Sequence, residues 1–169
     1  ALRQQRAAQS ATTDAETLRL LDRIHLDFVR AGAALPAAGR QRMAAIVERT
    51  AALCTQFAQN VLADEAAFEL VLREPADLAG LPPGLLAASG AAARQRGRPD
   101  GWVITLSRSL AVPFLTFSDR RDLRELLFNA WVRRGENDGG HDNRPLIAEI
   151  LALRQELARL HGYANFAGY

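Results

Sequence analysis

Beyond Pro36 the chain sets Met43, Ile46, Val47, Leu53, Cys54, Phe57 and Val61 at helical spacing. The pattern predicts one amphipathic helix of about seven turns, with the proline near its first turn. No other feature constrains the fold as strongly, because a helix of this length makes the chain helical before anything else is read. Cys54 falls on the apolar stripe, so a small buried hydrophobe is expected there rather than a nucleophile.

Other helices surround it. Residues 14–31, DAETLRLLDRIHLDFVRA, place Leu18, Leu21, Ile24, Phe28 and Val29 on one face, and Gly32 stops the run. His25, inside that run, reads as a surface or boundary residue. Ser118 is expected to cap a further helix, with Asp119 and Asp122 in its first turn. Its core face is Leu123, Leu126, Leu127, Ala130 and Trp131, and Gly135 ends it. In the last helix Asp142 or Asn143 is the cap and Pro145 sits in the first turn. Leu146, Ile150, Leu153, Leu157 and Leu160 then repeat at 4-3-4-3 spacing, a seam for close helix packing. Ile147 and Leu151 widen the seam, and Gly162 is a natural residue to follow the helix end.

The middle of the chain changes character. Phe68 to Leu72 alternate and favour extended backbone, before Pro75, Gly80, Pro82, Pro83 and Gly84 interrupt regular structure. A Pro-Asp-Gly turn leads into Trp102, Val103, Ile104, Thr105 and Leu106, and Pro113 is expected to end that strand region. Two short strands, paired antiparallel, should flank an Ala-rich helix at about 85–96, and helices must cover so small a sheet. The expected class is mainly α: a bundle-like helical lobe of about five helices with one small strand pair.

At 169 residues and 49% hydrophobic, the chain can bury one core, and 24% charged residues argue against wholesale disorder. All 21 basic residues are Arg and the net charge is only +2, so there is no electrostatic footprint for nucleic acid. The arginines of the Arg94, Arg96, Arg98 and Arg120, Arg121, Arg124 clusters fit a solvated surface better, since Asp119, Asp122 and Glu125 interleave with the second. A lone cysteine excludes an internal disulfide and a cysteine-based zinc cage. No apolar run approaches the ~18 residues of a membrane span. The opening ALRQQRAAQS lacks both Met and a signal-peptide core. A soluble, cytoplasmic protein is expected, with residue 1 an internal position.

The search for chemistry finds little. His25, His141 and His161 are too far apart in sequence for His-Glu-x-x-His, so no zinc or other metal site is expected within this chain. The loop ENDGGHDN concentrates donors without calcium-hand spacing and reads as a flexible polar connection. Phosphate-binding glycine loops are absent, and Ser107 and Ser118 have turn and capping roles rather than a nucleophile's context. No catalytic, cofactor-binding or metal residue is nominated.

Three stretches in order carry a family likeness. FAQNVLADEAAF (57–68) resembles the Phe-x-x-Asn-Val-Leu segment of the thimet oligopeptidase and peptidyl-dipeptidase family of zinc metallopeptidases. DLAGLPPGLL (77–86) resembles that family's Leu-x-Gly-Leu-Pro turn. The run from WVITLS (102–107) to Tyr169 resembles its strand, its Ser-Asp-Arg-x-x-Arg helix and its Asp-Asn pair before a long helix. It ends like the family's Arg-x-Glu-x-Ala-x-Leu-x-Gly-Tyr-x-Asn-Phe-Ala. The likeness spans residues 18–169, and LLDRIHLDFVRAGAALP is most similar to the bacterial peptidyl-dipeptidase branch.

This resemblance implies a larger helical enzyme whose two lobes wall a channel for short peptides. Its catalytic zinc is held by His-Glu-x-x-His and a further glutamate, none of which occurs here, so no family catalytic or metal residue maps onto this chain. Residues 1–169 are then expected to be a single helical piece of the N-terminal lobe, supplying scaffold and channel wall, binding no zinc and inactive alone. HGYANFAGY reads as a cut edge, and self-association is expected through Leu146, Ile150, Leu153, Leu157, Phe166 and Tyr169. A free-standing helical interaction module is the alternative; an RNA-binding helical domain is disfavoured by the charge balance.

Overall fold

A computed structural model describes residues 14–137 and 140–169. The opening ALRQQRAAQS, and Asp138 and Gly139 of the polar loop, lie outside the described residues. The side chain of Asp14 accepts the Thr17 N–H at 2.9 Å and starts helix α1 (Ala15–Arg30). The chain continues through α2 (Ala37–Ala67), strand β1 (Leu70–Leu72), a 3-10 turn (Pro75–Leu78) and α3 (Pro83–Gln95). Strand β2 (Trp102–Ile104), α4 (Arg108–Phe117), α5 (Arg121–Val132) and α6 (Arg144–Leu160) follow. The fold is mainly α, with one antiparallel strand pair among the described residues.

The chain divides into two compact units, Ala52–Glu149 and Ala1–Ala51 with Ile150–Tyr169. In the first, β1 pairs antiparallel with β2 in the register Leu70–Ile104, Val71–Val103 and Leu72–Trp102. Two strands are marginal alone, and α3 and α4 pack on β2 while α5 packs on α4. Helix α3 turns Leu85, Ser89 and Ala93 inward at intervals of four, and two small residues of the three let its backbone come close. The core joins Leu70, Leu72, Leu81, Leu85, Ile104 and Leu106 to Leu110, Phe114 and Leu127. Phe114 is wholly buried, which is worth about 2–3 kcal/mol by itself.

In the second unit, α1 has no fully buried residue. Leu18, Leu26 and Val29 are half-buried, whereas Leu20, Leu21, Ile24 and Phe28 face outward. The expected stripe is therefore split: Leu18 and Val29 lie on its inner side, and the rest is bare. At the end of α6, the Gly162 N–H donates to Arg159 O and the Tyr163 N–H to Ala158 O. Gly162 has φ +81°, which a glycine adopts without strain.

Several local expectations are corrected. Pro113 does not end a strand region; it lies inside α4, one of six helices among the described residues, which keeps the expected mainly α class of about five helices. A mid-helix proline costs about 3 kcal/mol, and burial of Leu110, Ala111 and Phe114 along that helix outweighs it. Ser118 closes α4 instead of capping α5, and its hydroxyl accepts the Arg120 N–H at 3.2 Å. Asp119 consequently precedes α5, while Asp122 occupies its first turn. Cys54 is exposed. The inward positions of α2 are Ile46, Leu53 and Asn60, seven apart; Cys54 is one residue round from that line, a rotation of about 100°, and Val47 is likewise outside it. On α5, Leu126 points outward at 48% exposure. On α6, Ile150 is buried and Leu146, Leu153 and Leu157 are half-buried, leaving Ile147 and Leu151 as the exposed apolar residues. Of the residues expected to drive self-association, Ile150 is thus buried within the chain, whereas Phe166 is 40% exposed.

Candidate functional site

The segments that carry the family likeness are brought together in pairs. On α2, Asn60 is 3% exposed and donates to the Asn143 side-chain oxygen at 2.9 Å. Asn143, 2% exposed, donates through its own amide to the Phe57 carbonyl at 3.2 Å, and its backbone N–H donates to Gly135 O at 2.7 Å. Gln56 completes Asn60 by donating to its oxygen at 2.7 Å. One turn further along α2, Asp64 accepts the Gly135 N–H and the Asn137 amide, both at 2.7 Å. Glu65 pairs with Arg134, whose guanidinium lies 4.0 Å from the Trp131 ring centre. The described part of the polar loop is held on α2 at several points. Asp64 was not singled out from the sequence, although it lies inside the FAQNVLADEAAF segment.

Gly135 shows how tight this joint is. A side-chain carbon added there would sit 2.5 Å from the Asn143 amide nitrogen. Buried amides must find partners or cost about 1–3 kcal/mol each, and here each asparagine is the other's partner.

The second pairing joins the Leu-x-Gly-Leu-Pro turn to the Ser-Asp-Arg segment. Asp77 accepts the N–H groups of Arg73 at 2.9 Å and Glu74 at 3.1 Å, and its other oxygen meets the Arg120 guanidinium. Arg120 also grips Asp122 with two hydrogen bonds of 2.9 and 2.7 Å. The pairing expected along this helix at three- and four-residue spacing is replaced by this contact two residues on. The two backbone donors, then Arg120, hold the Asp77 carboxyl below the usual carboxylate range. Arg120 holds Asp122 down to about 2. Asp119 N–H closes the joint on Ala79 O at 3.0 Å. Gly80, at φ +81°, lies so near the Phe117 carbonyl that no side chain fits.

In the other unit the Arg-x-Glu-x-Ala segment is also occupied structurally. Glu156 accepts two hydrogen bonds from Arg42, at 2.6 and 2.7 Å. Arg154 stacks on Phe166 at 5.2 Å, Ala158 is wholly buried, and Asn165 accepts the Gly168 N–H at 2.9 Å. The aromatic tail has a partner within the chain: Tyr169 packs against His161, Tyr163 and Phe166, and Arg30 of α1 covers its ring and donates to its backbone oxygen.

What these sites can do chemically is hold shape. His25 is exposed on α1, and His141 lies 4.0 Å from Asp64 with about half its side chain in solvent. Thr105, Ser107 and Ser109 hydrogen-bond in series. Zinc would need three or four converging His, Cys, Asp or Glu donors; among the described residues no such group exists, so these residues do not fit the ion. No helix of the described residues is long and apolar enough to cross a membrane.

No protein-family model matches the chain. It is 35% identical over 161 residues to oligopeptidase A of Salmonella typhimurium, covering 93% of this chain and 24% of that protein. To the dipeptidyl carboxypeptidase of the same organism it is 36% identical over 156 residues, 92% of this chain and 23% of the relative. The probable cytosolic oligopeptidase A of Arabidopsis thaliana is 32% identical over 155 residues, 88% of this chain and 22% of its own length. The chain thus spans about a quarter of these relatives.

Proposed function

The chain belongs to the family of oligopeptidase A and dipeptidyl carboxypeptidase, and from that premise we propose that it is one helical piece of the N-terminal lobe of a peptide-hydrolysing enzyme. Its role there is scaffold and channel wall, limiting access to short peptides. The observation that carries the reading is the match itself: nine-tenths of this chain aligns with a quarter of each relative. The family-like segments support it, since Asn60 is spent on Asn143, Asp77 on Arg120 and Glu156 on Arg42. The first two contacts reach backbone as well, through Asn143 to Phe57 and through Asp77 to Arg73 and Glu74, which suits a shaping role.

On this reading the catalytic zinc and its ligands belong to residues outside these 169, and no residue of this chain touches substrate chemistry. The parent cleaves peptides internally or removes C-terminal dipeptides, and works in the cytoplasm, as the name of the plant relative says of that protein. Metal analysis tests the division of labour. Purified and dialysed, the 169-residue chain should retain no stoichiometric zinc, while the protein extended to its relatives' full length should retain about one per chain. Zinc held at one equivalent by the short chain would overturn the reading.

A further inference from the structure

The Pro-Asp-Gly turn that leads into β2 takes no part in either joint. Helix α3 ends at Gln95 and β2 begins at Trp102, so Pro99, Asp100 and Gly101 lie outside both elements. Asp100 is exposed, and among the described residues no hydrogen bond or ion pair holds its carboxylate. The cations nearest in sequence are spent elsewhere, since Arg96 and Arg98 both bind Glu69 at 3.1 Å. The Gly101 N–H donates to Arg98 O at 3.3 Å, longer than the roughly 2.7–3.2 Å usual for such bonds. Apart from its chain neighbours, a carbon added at Gly101 would meet only Arg98, at 3.9 and 4.0 Å. We propose that Asp100 and Gly101 form a site of spontaneous backbone modification, at which Asp100 converts to isoaspartate. The proposal goes beyond the peptidase reading and does not depend on it.

The reaction needs only water. The Gly101 nitrogen attacks Asp100 Cγ of the protonated carboxyl; the N–Cγ bond forms, the Cγ–O bond breaks, and the hydroxyl leaves with the amide proton as water. Water then opens the resulting five-membered succinimide. Breaking its N–Cγ bond restores aspartate, whereas breaking the bond from nitrogen to the Asp100 main-chain carbonyl carbon leaves the chain running through Cγ. One water is lost and one regained. Glycine favours the closure because it leaves its nitrogen uncrowded and its backbone permissive. In a helix interior the N–H would be held by the carbonyl four residues back; here one long bond holds it, and a turn so weakly tied opens locally at little cost. The space around Gly101 leaves room for the ring. The product carries an extra backbone methylene two residues before Trp102, which pairs with Leu72 across the sheet.

Ageing the folded 169-residue chain at neutral pH, followed by tryptic mapping with electron-transfer fragmentation, tests this. The Arg98–Pro99 bond resists trypsin, so residues 97–108, GRPDGWVITLSR, form one peptide whose only acidic residue is Asp100. The other Asp-Gly pair, Asp138 and Gly139, falls in a separate peptide. Isoaspartate should accumulate at residue 100 at a rate within about tenfold of that in a synthetic peptide of residues 97–108, since opening the turn costs little. Asp100→Glu, which would need a six-membered ring, should abolish it. Asp100→Asn, which releases ammonia instead of water, should form it faster and so shows that the readout works. Absence of isoaspartate at residue 100 of the wild-type chain would overturn the proposal. Formation more than about tenfold slower than in the peptide would overturn it too, because the folded turn would then protect the bond.

Discussion

Asn60 and Asn143, 83 residues apart, share a 2.9 Å hydrogen bond with both side chains almost wholly buried. The contact ties the polar loop to α2; without it the Asn60 amide nitrogen and the Asn143 amide oxygen would each lose a buried hydrogen bond, while Gln56 and the Phe57 carbonyl still serve the other halves of the two amides. Asn60→Ala and Asn143→Ala should each destabilise the chain by about 1–3 kcal/mol. The double substitution should cost less than the sum by about 1 kcal/mol or more, because the second change removes a group already orphaned. Urea unfolding of the four proteins measures this; strict additivity would contradict the joint.

Glycine positions offer a sharp contrast. Gly80 combines φ +81° with a Phe117 carbonyl where a side chain would go, so Gly80→Ala should cost about 3 kcal/mol or more. At Gly84, near the start of α3, nothing lies within 4 Å of an added carbon and φ is not positive. Gly84→Ala should therefore stabilise by up to about 1 kcal/mol. Thermal unfolding should move in opposite directions for the two.

Acid should act on the Asp77–Arg120–Asp122 joint. Both carboxyls are held below their ordinary range, Asp122 at about 2. A carboxylate with a depressed folded pKa contributes fully above its unfolded value, about 4, and loses that contribution as pH falls through the folded value. Stability should decline between about pH 4 and 2. Asp77→Asn should be less stable than wild type at pH 7, with the two curves converging toward pH 2. Curves that remain parallel would show that Asp77 is not linked to folding.

The tail supplies the reverse case. The ring of His161 packs 5.1 Å from that of Tyr169, yet its Nε2 is buried without a hydrogen-bond partner among the described residues. His161→Phe keeps the ring contact and removes the orphaned nitrogen, so it should stabilise by about 1 kcal/mol. A fall in the unfolding midpoint would mean that the nitrogen has a partner in solution.

Elements that declare themselves by period or punctuation were legible in the sequence. The long helix after Pro36, the Gly32 and Gly162 stops and the antiparallel strands around the Ala-rich helix all follow from local pattern. The errors arise where tertiary burial overrides local preference. Pro113 is carried inside α4 by Leu110, Ala111 and Phe114, and no rule about proline reveals that support in advance. Ser118 has a capping residue's chemistry, yet the Asp119–Ala79 hydrogen bond holds the chain away from helix until Arg121. Cys54 and Val47 have an apolar residue's spacing, but α2 buries a line of one residue in seven rather than a broad face. The joints were illegible for another reason: Asn60 with Asn143 and Asp77 with Arg120 are pairings across the fold. The family likeness placed all four residues in recognisable segments without saying that the segments hold one another.

The central claim is that these residues shape a peptidase without performing its chemistry. Turnover of an internally quenched short peptide measures this directly, using the 169-residue chain and the protein extended to its relatives' length. The account predicts hydrolysis by the extended protein, lost on chelation and restored by zinc, and none by the short chain with zinc added. Zinc-dependent turnover by the purified short chain would contradict it.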